Sequence, residues 1–370
     1  MNKSRYFLTF ATISMLIFLC YILFLNKKAI FVKNGVLTLK TCNFENTSKI
    51  NTIIDTFFYI ALHDKTGFFN TLGDLNDVKI HNDTLWVLDS KFNLFAFQKN
   101  GQIIGQVNKN GDGPGRTLQI SDFEVLNGKV YTLEMSKSFL QVYDGKTFEY
   151  IKNINLAPEF TYSDLAYCNE QWFFFAPSAL SDNALHVYSY DFKLKYKLLS
   201  HVVNNKRMLL VPPKPLILNN KKMTVNLMFN DTLFGFDENN RILPKLVVDL
   251  CDNKLTNDDK KRIERTSATE LMNNLQNYLR IFNLQENTSS FWLSTMSKNK
   301  KYNDILFDKK TGRYKNLENV EYIKKQPLSI NFIANYQDYF ISTLNEDQMA
   351  KIDFSIKPLG VLQFIKFKTL

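Results

Sequence analysis

The sequence predicts an all-β fold: a six-bladed β-propeller, with an N-terminal transmembrane helix ahead of it and a short helical insertion within it. Three observations carry the prediction. Residues 7–25 form a run of 19 without a charge. Residues 77–89 (DVKIHNDTLWVLD) match residues 122–134 (DFEVLNGKVYTLE) without a gap, at an offset of 45. Four short β-rich runs recur within each such unit, and a period of about 40–50 residues with four strands is what propeller blades show.

The apolar run comes first along the chain. Lys3 and Arg5 precede it, and Lys27 and Lys28 follow it. About 20 apolar residues in a helix span the hydrocarbon core of a bilayer. No small-residue cleavage site follows, so the run reads as an uncleaved anchor. Its rivals are a cleaved signal and a lipoprotein signal ending at Cys20, where Leu19 is bulkier than such signals usually carry. Residues 1–28 are therefore read as membrane anchor or signal segment. Residues 29–66 are read as a linker with the first strand of the closing sheet, and 67–370 as the propeller.

In the first two units, Asp77 aligns with Asp122, Ile80 with Val125, Asn82 with Asn127, Trp86 with Tyr131 and Leu88 with Leu133. Asn82-Asp83 and Asn127-Gly128 are turn dipeptides between strand-forming runs, which is a hairpin pattern. Leu94 to Phe97 and Leu140 to Tyr143 supply third strands, and each is followed by a glycine turn and a fourth apolar run. Weaker copies span about 164–199, 216–250, 290–314 and 328–352. Asn230-Asp231-Thr232-Leu233 repeats Asn82-Asp83-Thr84-Leu85 letter for letter.

Residues 255–283 break the pattern. Leu271, Leu275, Tyr278, Leu279 and Phe282 recur at helical spacing, and Thr256 with Asp259 three residues on is a helix start. This reads as a helical insertion between the fourth and fifth blades, able to cap the channel or simply to pack on a blade edge. Residues 358–370 (PLGVLQFIKFKTL) read as a strand of the closing sheet, paired with residues 36–39 so that no sheet edge is left open.

The net charge is +10, from 46 Lys and Arg against 36 Asp and Glu. The basic residues are scattered, with no arm and no nucleic-acid-binding motif, so nucleic acid is not expected as a partner. Cys20, Cys42, Cys168 and Cys251 are far apart and show no C-x-x-C spacing, so neither a disulfide framework nor a zinc site is expected. His63, His81, His186 and His201 form no local metal pair. Gly111 to Gly115 lacks the residues of a phosphate loop and reads as an inter-blade turn. Asp77, Asp89, Asp122 and Glu134 recur with the repeat. They read as turn-bonding groups, with lining of the channel as the alternative. Trp86, Tyr131, Trp172 and Trp292 read as core.

Residues 99–115, with the phrase NGQIIGQVNKNGDGPG, resemble the six-bladed β-propeller proteins common in Bacteroidetes envelopes, which are similar more distantly to NHL-repeat propellers. The phrase at 230–234 and residues 358–368 resemble the same group, so the likeness covers roughly 68–370. Arg116 departs from it, standing where an acidic residue commonly follows GPG. The resemblance implies a binding role at the cell envelope, with an envelope protein, a peptide or a glycan as ligand. It supplies no catalytic residue to carry over. The expected function is that of a membrane-anchored propeller, in the periplasm or at the cell surface, binding a ligand or partner. The alternative is a metal-dependent propeller lyase or lactonase-type hydrolase. No catalytic residue, metal ligand or cofactor is assigned from the sequence, and ligand-contacting residues stay unassigned. The funnel at one end of the channel, with the loops 112–120 and 255–283, is where a site is expected.

Overall fold

The computed structural model describes residues 36–40, 47–65 and 72–370, less 108, 112, 135, 138, 157–160, 238, 250–253, 272, 274–280, 297–301, 319–321, 324–325 and 356. Residues 7–25 and the cysteines 20, 42 and 251 lie outside the described residues. No described helix is long and apolar enough to cross a membrane.

Six sheets, each with four antiparallel strands, form the blades, and two of them carry a fifth, parallel strand at the outer edge. Blade 1 holds Leu75–His81, Thr84–Asp89, Leu94–Gln98 and Ile103–Gln106, from the innermost strand outward. Blade 2 runs from Ile120–Leu126 to Tyr150–Asn155, and blade 3 from Asp164–Cys168 to Leu194–Ser200. Blade 4 runs from Leu216–Asn219 to Ile242–Asp249, blade 5 from Ile281–Glu286 to Tyr314–Glu318, and blade 6 from Phe332–Tyr336 to Ile54–Leu62. The protein is a six-bladed β-propeller.

The hairpin pattern read from the sequence holds at the turn between the first two strands of a blade. Asn82 and Asp83 (φ 45° and 63°), Asn127 and Gly128 (51° and 72°), Asn169 and Glu170 (49° and 59°), and Asn220 and Lys221 (46° and 62°) all take the left-handed conformation. Two successive positive φ values define the turn whose twist matches the flanking strands, and Asn tolerates that conformation best after Gly.

Ring closure differs from the expected pairing in one respect. The C-terminal strand Gly360–Phe367 does belong to the closing sheet, but its N-terminal partner is Ile54–Leu62, antiparallel, with Phe364 facing Phe58. Residues 36–39 are not that partner. Leu37–Lys40 instead lies parallel along the outer strand of blade 4, with Leu39 opposite Val248. Thr47–Lys49 does the same along blade 5. The N-terminal segment thus straps the outer edges of blades 4 and 5 before it completes blade 6, and each strapped edge is a row of otherwise open backbone donors and acceptors. The apolar alternation of 54–62 (IDTFFYIAL) matches that of 360–367 better than the short run 36–39 could, which is the physical reason for the different choice.

The helical insertion begins as the sequence predicts. Asn257–Arg265 is an α-helix whose N-cap Thr256 and Asp259 form a reciprocal capping box. It does not reach residue 283: Ile281–Glu286 is already the innermost strand of blade 5, so Phe282 belongs to a strand. Leu275, Tyr278 and Leu279 lie outside the described residues. Ile263 and Leu271 bury against Val203, Leu210 and Phe229.

Between blades, apolar side chains fill the gaps as one cluster per neighbouring pair. Trp172, Tyr131, Leu140 and Phe174 pack blades 2 and 3, and Trp292, Phe332, Phe340 and Phe367 pack blades 5 and 6. Trp86, Tyr131, Trp172 and Trp292 are all buried, as their repeat positions suggest. No blade could bury both its faces alone, and the ring satisfies all six.

Candidate functional site

Because strand direction alternates, every turn between first and second strands falls on one face of the ring, and every connection between blades falls on the other. Asn169 in the first turn of blade 3 donates through Nδ2 to Asn240 Oδ1, in the outer hairpin of blade 4, at 3.1 Å. That contact places both kinds of hairpin on the same face. On this face the axial channel opens into a cavity of about 800 Å³, walled by residues from all six blades.

The deep end of the cavity is formed where the inner strands begin, and it is charged. Asp77, Lys79, Asp122, Glu124, Asp164 and Lys214 meet there. Lys79 Nζ lies 3.1 Å from Asp122 Oδ1 and 3.7 Å from Glu124 Oε2. It also donates to the Phe123 carbonyl and stands over the Phe123 ring, 4.9 Å from its centroid. Lys214, from blade 4, reaches Asp77 Oδ1 of blade 1 at 2.7 Å. Asp122 Oδ2 accepts the Leu165 N–H of blade 3 at 2.8 Å, and Asp122 Oδ1 accepts the Phe123 N–H at 2.7 Å. This network ties blades 1 to 4 across the axis.

Four carboxyl groups share two ammonium groups here, so the charges do not balance if all are ionised. The imbalance falls on two acids. Burial, the Asp122 charge and a hydrogen bond with Asp122 push Asp164 well above the usual carboxylate range. Burial likewise raises Glu124, against the pull of Lys79. Asp122 is held below its ordinary value despite burial, chiefly by Lys79 and by the Asp164 hydrogen bond. Burial opposes the charges of Lys79 and Lys214, yet the surrounding carboxylates hold both above the ordinary lysine value. The deep end is thus a buried polar network in which Asp122 and Asp164 share a site and their affinities for a proton are pushed apart.

The rim is different in chemistry. It is formed where the inner strands end, and it carries amides and tyrosines: Asn169, Asn219, Asn220 and Asn335, with Tyr167 and Tyr336. Its charged members, Glu170 and Lys221, are opposite in sign. Asn219 is 7% exposed and lines the cavity. Cys168 also lines the wall; burial raises its thiol to about 11, and its Sγ donates to the Lys221 carbonyl, so it is not a nucleophile at neutral pH.

The recurring acids of the sequence divide by role. Asp77 and Asp122 line the channel. Asp89 is fully buried and accepts the N–H groups of Gly73, Lys91 and Asn93 at 2.8–3.0 Å, which is turn bonding. Glu134 accepts from Ser136 and pairs with Lys137. Both readings of the repeat are therefore realised, one on each strand of the hairpin at its open end. Lys79 and Lys214 were not picked out from the sequence. Lys79 sits two residues after Asp77, where blade 2 has Glu124, and such a charge reversal between aligned repeats was the available signal. Lys214 precedes its strand and breaks the alignment, so nothing marked it.

Among the histidines, His81 lines the cavity. His186 lies inside blade 3, where burial holds it down at about 4 and its ring bonds Tyr162 and Ser181. His201 packs edge-on against Phe175, and His63 pairs with Gln102 at the edge of blade 1. No set of three or more His, Cys, Asp or Glu among the described residues is arranged to hold a metal ion. Among the described residues, none of the loops 112–120 and 255–283 lines this cavity. They join one blade to the next, so they lie on the opposite face. Gly111, Gly113 and Gly115 take positive φ in a tight inter-blade turn, in which the Arg116 N–H donates to the Gly113 carbonyl at 3.1 Å.

Comparison with solved structures agrees with the architecture. A Bacteroides fragilis protein, described as a candidate exported protein, superposes with a TM-score of 0.72 at 16% identity, covering 90% of this chain and 99% of its own. Looser overlaps are found with virginiamycin B lyase from Staphylococcus aureus (TM-score 0.43, 9% identity, 84% of this chain and 99% of that one). The extracellular domain of a protein assigned as a one-component system of B. thetaiotaomicron overlaps at 0.39 (13% identity, 70% of this chain and 29% of that one). No curated protein matches the sequence. The family described as Domain of unknown function (DUF4934) matches residues 35–359, nearly the whole propeller, and the chain belongs to that family.

Proposed function

We propose that the protein is an extracytoplasmic propeller, tethered to a membrane through residues 7–25, that binds a ligand or partner at the mouth of its channel. One observation carries the reading: an open cavity of about 800 Å³, contributed to by every blade, is lined by charged side chains at its deep end and by amides and tyrosines at its rim. A concave site with a few convergent polar groups is the usual form of a ligand pocket. The description of the B. fragilis protein as exported supports the compartment, and the uncharged run of 19 residues supports the tether.

The alternative is a metal-dependent lyase or lactonase-type hydrolase. It asks for a ring of donors whose lone pairs face an open axis. The carboxylates at the deep end are instead engaged by Lys79, Lys214 and main-chain N–H groups, which favours binding.

A thermal-shift screen of the detergent-solubilised full chain, with a library spanning saccharides, peptides, amines, carboxylates and nucleosides, tests the reading. A ligand at about 100 times its Kd adds about 2.7 kcal/mol, enough to move the melt by several degrees. Compounds that shift the parent protein are expected to lose their effect on Asn335→Trp, in which an indole fills the mouth. Equal shifts in both proteins, or no shift from any class, count against it.

A further inference from the structure

The N-terminal segment enters the ring from one side, and the charge on that side selects what it meets. Leu37–Lys40 runs parallel to Ile242–Asp249, with Leu37 opposite Leu246 and Lys40 opposite Asp249. Ile242 follows the outer hairpin of blade 4, which the contact between Asn169 and Asn240 places on the cavity face. The strap therefore runs from the cavity face toward the far face, and Thr47–Lys49 does the same beside Tyr314–Glu318. A chain arriving at Leu37 comes from the cavity side. Only residues 26–35 separate the uncharged run 7–25 from Val36. Fully extended, that stretch reaches at most about 36 Å. A bilayer that holds the run lies within that reach of the outer edge of blade 4.

The same corner of the cavity face is basic. On blades 1, 3 and 6 the hairpin cations are matched by acids: Lys99 pairs with Asp83, Lys193 with Asp191 and Lys366 with Asp338. At the seam of blades 4 and 5 the balance is different. Lys245 and Lys309 both reach Glu286 Oε1, at 2.7 and 2.6 Å, and both stand over the Phe291 ring. Burial, with the charges of Lys245 and Lys222, holds Lys309 below the ordinary lysine value against the pull of Glu286. Three ammonium groups thus crowd around one carboxylate that is 2% exposed. The neighbouring hairpins add Lys221, Lys222, Lys310 and Arg313, all exposed. Their acids are turned inward: Asp308 accepts the N–H groups of Lys310, Thr311 and Leu370, and Asp237 is bonded by Arg241. Glu238 lies outside the described residues. The far face lacks this excess. The helix Asn257–Arg265 mixes three acids with four bases, and the helix Glu346–Met349 opens with Glu346 and Asp347.

We infer that the cavity-face hairpins of blades 4 and 5 dock on the anionic headgroup surface of the membrane that holds the protein, through Lys221, Lys222, Lys310 and Arg313, so that the channel mouth opens toward the bilayer. Clustered basic residues beside a membrane-spanning segment are drawn to anionic lipid, and the attraction fades within a Debye length. This rests on the reading of residues 7–25 as a tether and adds the side of the ring that the tether turns to the membrane.

Lysine acylation of the reconstituted full chain, read by mass spectrometry, tests it. The vesicles are phosphatidylcholine alone or mixed with phosphatidylglycerol. In the anionic vesicles, acylation of Lys222 and Lys310 is expected to slow about fivefold and to recover in high salt. Lys260 and Lys261, on the far face, are expected to react equally in both. Amide exchange at residues 217–222 and 309–313 is expected to slow in anionic vesicles for the parent. It is not expected to slow for the triple variant Lys222→Gln, Lys310→Gln, Arg313→Gln, whose exposed positions leave the melt unchanged. Equal acylation of Lys222 and Lys310 in the two vesicle types, or protection of Lys260 and Lys261 instead, overturns the docking. Heparin added to the neutral vesicles is the contrasting probe, and stronger protection by it than by anionic lipid overturns the membrane assignment. Flotation with neutral vesicles reports the tether by itself. Flotation with unchanged acylation overturns the docking and leaves the tether. Flotation with anionic vesicles alone, with Lys222 and Lys310 protected, overturns the tether and supports the docking face. No flotation with either overturns both.

Discussion

Asp164 shows how a single side chain sets the character of the channel. Its folded pKa is raised by burial and by Asp122, so the folded protein holds a proton that the unfolded chain gives up near pH 4. The stability from that proton is complete below the unfolded value and is lost as pH rises through the folded one. Asp164→Asn keeps a donor toward Asp122 and needs no proton. It is expected to match the parent at pH 4 and to exceed it at pH 8 by about 1 kcal/mol or more, read from urea midpoints at the two pH values. A variant less stable at pH 8 would show that the Asp164 charge is used rather than suppressed. Asp122 works in the opposite sense: its lowered pKa contributes stability above the unfolded value that is lost as pH falls. Much of this was legible in outline, because an aspartate five residues before the turn asparagine recurs in blades 1, 2 and 3 as Asp77, Asp122 and Asp164. The lysines were not, since a cation that bridges blades 137 residues apart leaves no local pattern.

Among the elements, the closing strand Ile54–Leu62 has the largest consequence. It is the outer strand of blade 6, and it hooks onto blade 1 as it leaves. The His63 N–H donates to the Gly101 carbonyl at 2.9 Å, and the Ile103 N–H donates to the His63 carbonyl at 3.0 Å. Gly101 permits the approach: its φ is +87°, and a Cβ there would stand 1.9 Å from the Ala61 carbonyl oxygen. Gly101→Ala must therefore displace backbone and adopt a strained φ, and a loss of more than about 2 kcal/mol is expected. Calorimetry of the parent and variant checks it, and a melt shifted by less than a degree would mean that the hook is slack. The hairpins were readable because Asn-Asp and Asn-Gly dictate local geometry. The partner of the last strand was not, because closing a ring is a choice among distant edges that the sequence pattern ranks only weakly. The start of the helix was marked by Thr256 and Asp259, but its end was misplaced because Phe282 fits a helical stripe and a strand equally well.

For the molecule as a whole, the ring divides its two faces between different tasks. Inter-blade connections, the helix Asn257–Arg265 and the glycine turn at 111–115 occupy one face and are packed into structure. Short hairpins leave the other face open around the cavity. The sequence pointed to the longer loops as the place for a site, since loops commonly carry function. In this ring the end of the channel is instead rimmed by the shortest turns, and the long connections are on the far side. Amide hydrogen exchange of the full chain tests this division most directly, with and without the compound that raises its melting temperature most. Slower exchange is expected at residues 78–83, 166–171, 217–222 and 334–339, with residues 202–210 and 257–265 unchanged. Slowing confined to 202–210 and 257–265, or no slowing at the four inner-strand ends, would contradict the assignment of the channel mouth as the site.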